Sequence, residues 1–111
     1  MDKLVIYRQY IEQLLEEDQQ HTPSYGDIYR EAITDTVHDH YQLLSIGWHQ
    51  QQRIHACIWH IDIRNDKIWI QQDGTEEGVA NRLVACGVPK SDIVLAYQST
   101  FKRQFTEFAV G

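Results

Sequence analysis

Between Arg53 and Ile63, apolar side chains fall at both parities of a single run. Ile54, Ala56 and Ile58 hold one parity, and Cys57, Trp59, Ile61 and Ile63 hold the other. A strand that alternates can leave one face in water, whereas a strand like this one exposes apolar surface whichever face is left open. The expectation is a sheet covered on both faces, at least in part. Two helices and a C-terminal segment would supply the cover, or a second copy of the chain.

The residues around that run complete an α+β pattern. Leu4, Tyr7, Ile11, Leu14 and Leu15 recur at helical spacing with Glu12, Gln13, Glu16 and Glu17 opposite. Asp2 is placed to cap the start, so residues 3–18 read as one amphipathic helix. Pro23 and Gly26 break it, and from Asp27 the period becomes two. Strands are expected over residues 28–37, 41–49, 53–63 and 68–72, joined by His38-Asp39-His40, Gln50-Gln51-Gln52 and Asn65-Asp66. Such short connections predict an antiparallel four-stranded meander. A two-residue turn at Asn65-Asp66 sets Ile63 against Ile68 and Ile61 against Ile70, with Trp69 across from Asp62 on the other face. A second helix follows, with Thr75 as its cap, Glu76 and Glu77 at its start and Val79, Leu83 and Val84 as its stripe. Gly87 stops it and Pro89 follows. Ile93 to Tyr97 then reads as a short fifth strand or extended segment.

The chain has 111 residues, enough for one domain over residues 1–111. No apolar run approaches the length of a membrane helix, and Met1-Asp2-Lys3 opens no signal-peptide pattern, so a cytoplasmic location is expected. Ten Lys and Arg against sixteen Asp and Glu give a net charge of −6. A chain that holds DNA through phosphate contacts needs a basic stripe, and the sequence offers only the pair Lys102-Arg103. DNA contact is therefore expected to be indirect or weak. Cys57 and Cys86, 29 residues apart, read as two reduced and buried thiols.

Several of these segments together resemble one family. They are Gly47-Trp48, Arg53-Ile54-His55-Ala56-Cys57, His60-Ile61-Asp62-Ile63 and Lys67-Ile68-Trp69-Ile70-Gln71, then Asp73-Gly74-Thr75-Glu76-Glu77-Gly78-Val79-Ala80. Gly87-Val88-Pro89-Lys90, Asp92-Ile93-Val94-Leu95, Arg103-Gln104-Phe105-Thr106 and Phe108-Ala109-Val110 continue the match. The chain resembles the fdxN-element excision controlling factors of the XisI family, found mostly in cyanobacteria, nearly from end to end. Ala96-Tyr97 stands where relatives often carry Gly and Phe, and Glu107 occupies a variable position. The resemblance implies a regulatory role in programmed excision of a DNA element during heterocyst development. It also implies a companion of the XisH kind, whose family resembles restriction-type nucleases. It brings no catalytic residue with it.

The residues themselves point the same way. Restriction-type nuclease sites place an acidic residue two positions before a Lys. Here Met1, Asn65, Val88 and Thr100 precede Lys3, Lys67, Lys90 and Lys102 at that spacing, and none is acidic. His60 and Asp62 share a strand face, whereas His55 falls on the opposite face of a straight strand. His38 and His40 flank a turn and read as solvated. No four-ligand set is visible, so neither a metal nor a cofactor is expected. The turn from Asp73 to Gly78 makes a poor phosphate cradle, because Glu76 and Glu77 repel an anion there. Trp48, Trp59 and Trp69 read as core residues, at least two of the three.

The partner-binding candidates are Phe101, Lys102, Arg103, Phe105 and Phe108 in the tail, where aromatics and charge crowd one stretch, with Asp73, Glu76 and Glu77 as an acidic patch. The other reading is a tail that closes the domain's own core and a capped turn that packs the second helix onto the sheet. The leading expectation is a non-enzymatic accessory factor that controls a nuclease-like companion. A direct DNA-binding excision factor and a divergent metal-dependent hydrolase are the alternatives, and self-association is compatible with each.

Overall fold

A computed structural model describes residues 2–111 of the chain. Helix α1 (Lys3–Gln19) begins where the Asp2 side chain accepts from the Leu4 amide, and it buries Tyr7, Ile11, Leu14 and Leu15 as its spacing requires. Strands β1 (Asp27–Asp35), β2 (His40–His49), β3 (Gln52–Arg64) and β4 (Lys67–Asp73) follow as an antiparallel meander. Strand β1 ends two residues earlier than the pattern suggests. The Asp35 carboxylate accepts from the amides of Val37 and His38 and turns the backbone out of the ladder. Asn65 and Asp66 both take positive φ, the conformation of a two-residue hairpin turn. The ladder is accordingly as expected: Ile63 faces Ile68, Ile61 faces Ile70, and Asp62 faces Trp69.

The sheet differs from a purely antiparallel meander in its last strand. Helix α2 (Val79–Cys86) carries the chain back, so β5 (Ile93–Leu95) joins β4 in parallel and makes a mixed sheet of order β1-β2-β3-β4-β5. Beyond it, Ala109 pairs with Val94, again in parallel, after a short helix α3 (Thr100–Arg103). The start of α2 is also shifted. Asp73, not Thr75, organises it: one carboxylate oxygen accepts from the Thr75 amide and hydroxyl, the other from the Val79 amide. Glu76 and Glu77 therefore lie in the preceding loop rather than in the first helical turn. Gly87, in the left-handed conformation, ends α2 as its position predicts.

The double parity of β3 has a cause that straight-strand reasoning misses. Cys57 pairs with Leu44 and Trp59 pairs with Leu43, which leaves Ile58 as an unpaired bulge residue. The bulge flips the phase. Ile54 and Ala56 oppose Gly47 and Ser45, while Trp59 and Ile61 oppose Leu43 and Tyr41, all of one parity on an unbroken β2. Most of the apolar residues of both parities thus meet on one face, where α1 and α2 bury Tyr41, Leu43, Trp59, Ile61, Ile68 and Ile70.

Cover on both faces is then needed only in part, and only in part is it present. The tail shields Trp69 at the β4–β5 end of the opposite face, while Tyr29, Ile33 and Trp48 on β1 and β2 stay about half exposed. Of the three tryptophans only Trp59 is core; Trp48 and Trp69 instead carry Arg53 and Arg64 over their rings. Cys57 and Cys86 are free and half-buried rather than enclosed.

Candidate functional site

The tail divides the predicted partner residues into two groups. Ser99 caps α3 by accepting from the Lys102 amide, and this places Phe101 and Phe105 on one outward side. Their rings meet edge to face at 5.3 Å between centroids, yet the residues are 67% and 75% exposed. Lys102 is exposed between them, with no side-chain hydrogen bond or ion pair among the described residues. Arg103 and Phe108 point inward. The Arg103 guanidinium donates to the carbonyls of Ala96, Gln98 and Val110 and lies over Trp69, while Phe108 packs against the core with Lys90 above its ring. In the acidic patch, Glu76 and Glu77 face solvent, whereas the Asp73 carboxylate is occupied by the start of α2.

A second constellation sits on the open face of the sheet. The bulge at Ile58 brings His40, at the start of β2, directly opposite Asp62 on β3. Without that extra residue His40 would face Ile61, and the Asp62 carboxylate would point to the helices. His60, two residues before Asp62, shares the face. One oxygen, Asp62 Oδ1, takes both rings: His40 Nδ1 at 2.8 Å and His60 Nε2 at 2.7 Å. Gln71, the bulge residue of β4, donates to the other oxygen at 3.3 Å. The Asp62 carboxylate is nearly buried, while His40 is half exposed. Its hydrogen bond to Asp62, with the charge of that carboxylate, raises the His40 pKa above its ordinary value.

His38 stacks beside His40 and bonds Asp35. His55 falls on the same face as His60, not the opposite one, but it pairs with Ile46, four residues along β2 from His60's partner Gln42, and stays out of reach. The pairing of His60 with Asp62 is legible in sequence. The third member, His40, is not, unless the two apolar parities of β3 are read as a phase slip.

The profile of the XisI protein family matches residues 1–110. The chain belongs to the XisI family. Two solved structures show how far the XisI likeness extends. A XisI-like protein from Anabaena variabilis is 40% identical, with 97% of this chain and 99% of that one covered at a TM-score of 0.90. The fdxN element excision controlling factor XisI from the same organism is 31% identical, with 99% and 100% covered and a TM-score of 0.85. None of the curated proteins matches. Coverage of that extent takes in every element of this XisI chain, the parallel β5 and the tail included.

Proposed function

We propose that this XisI chain is a non-enzymatic controlling factor in programmed DNA-element excision or a related process, and that it acts by binding a nuclease-like companion of the XisH kind. The observation that carries this reading is the exposed Phe101–Phe105 pair beside the unpaired Lys102. Two aromatic rings held outside the core, one on a capped helical turn and one just after it, are the kind of anchors around which protein interfaces concentrate their affinity. The cations argue against direct DNA binding. Lys3, Arg8, Arg82 and Lys90 form ion pairs with carboxylates, and Arg53, Arg64 and Arg103 lie over tryptophan rings. What faces outward is the acidic excess, Glu76 and Glu77 included, which suits an occupant of a basic DNA-binding surface.

Co-expression with a companion of the XisH kind, followed by size-exclusion chromatography with light scattering, tests the reading. A heteromer of defined stoichiometry is expected, and Phe101→Ser with Phe105→Ser is expected to abolish it. Because both rings lie outside the core, that double variant should keep its stability within about 0.5 kcal/mol. A homo-oligomer that ignores the companion, together with a salt-dependent mobility shift on element ends, would replace this reading with direct DNA binding.

A further inference from the structure

We propose that His40, His60 and Asp62 form a binding site for a divalent transition-metal ion of the zinc class, on the sheet face that the helices leave open. The ligand atoms of the three side chains lie within 4.8 Å of one another. Bonds of about 2.0–2.2 Å to a shared ion set tetrahedral ligands about 3.3–3.6 Å apart. The Asp62 oxygen therefore draws back slightly from the nitrogens it now meets at 2.8 and 2.7 Å while the two rings close, a small side-chain adjustment. Two imidazoles with one carboxylate are a donor set for zinc, cobalt, nickel or iron(II), not for calcium or magnesium, which prefer oxygen alone.

The backbone supplies the preorganisation. His40 and Asp62 are a directly opposed pair on neighbouring strands, and His60 is the next same-face residue along β3. Bulges bound the group on both sides, at Ile58 in β3 and at Gln71 in β4. Such irregularities re-aim side chains. Gln71 holds the second Asp62 oxygen, as the outer partners of metal-bound carboxylates do. Entry is from the solvent side, where the His40 ring is 52% exposed, and three protein ligands leave the remaining positions to water.

The proton balance is simple. In the structure both ring nitrogens that face Asp62 meet the same oxygen, an arrangement that needs an N–H on each. An ion inserted between them takes the lone pairs of those nitrogens. Each neutral ring then keeps its single proton on its other nitrogen, and a ring that was protonated releases one proton to solvent. The inference does not depend on the companion, so it stands or falls separately from the proposed function.

Protein dialysed against a chelator and then into buffer, titrated with zinc sulfate in a calorimeter and with cobalt(II) in a spectrophotometer, provides the test. One ion per chain is expected, with a visible cobalt band. His40→Gln and His60→Gln should each weaken binding by about tenfold or more, and Gln71→Ala by about tenfold. His55→Gln should leave binding unchanged. Asp62→Asn should remove the site, and the exposed His40 keeps the test valid if that buried substitution disturbs the fold. Absence of heat and of a cobalt band at millimolar metal would overturn the proposal. So would binding that survives both His40→Gln and His60→Gln.

Discussion

Asp18 sits near the end of α1, yet its carboxylate ties three elements together. Oδ2 accepts from Trp59 Nε1 at 2.9 Å and from Arg82 Nη1 at 2.7 Å, joining α1 to β3 and to α2. The Asp18 carbonyl also accepts from Arg30 on β1. Trp59→Phe removes a donor to a buried charge along with packed volume, so a loss of about 2–4 kcal/mol in urea unfolding is expected. Burial alone would raise the Asp18 pKa, but the hydrogen bonds from Arg82 and Trp59 outweigh it and hold the carboxyl below its ordinary 3.8. Because the folded value lies below the unfolded one, the unfolded chain binds the proton more readily. The stabilisation is complete above about pH 5 and is lost as the pH falls through the folded value. Melting temperatures measured from pH 7 to pH 3 should fall on the acid side, and Asp18→Asn should start lower at pH 7 and fall less steeply.

Strand β1 depends on one glycine for its contact with the sheet. A Cβ at Gly47 would lie 1.9 Å from the Asp27 carbonyl oxygen, and the residue has φ of +151°. Gly47→Ala should therefore cost about 1–3 kcal/mol from conformation alone, and more from the displaced strand. Hydrogen exchange should show β1 losing protection before β3. The elements that the sequence made legible are those governed by local chemistry: α1 with its Asp2 cap, the Asn65-Asp66 hairpin with its isoleucine ladder, and the Gly87 stop. What stayed hidden depends on tertiary pairing. The parallel β5 needs the crossover through α2, and the α2 start needs Asp73 accepting from the Val79 amide six residues ahead. Of the candidate residues, Phe101 and Phe105 lie exposed. The inward roles of Arg103 and Phe108 depend on carbonyls and a core that no spacing rule displays.

At the scale of the whole molecule, the tail completes the sheet as well as presenting a surface. Ala109 donates to the Ile93 carbonyl at 2.8 Å, Phe108 packs on the core and Lys67 bonds the Gly111 carbonyl. Removing residues 108–111 should cost about 2–4 kcal/mol in thermal or urea unfolding. It should also shift the emission of Trp69 to the red, because Gly111 approaches that ring. The α1 and α2 layer gives the opposite face no such support, and its two bulges have a consequence for how the fold can be altered. The register of β2 against β3 is set separately on either side of Ile58, so the turn at Gln50-Gln51, beyond the residues that pair with β1, behaves as a cassette. A turn of different sequence can be grafted there with Gly47 and the β1 pairs left in place, and His40 will still meet Asp62 provided one unpaired residue remains in the place of Ile58.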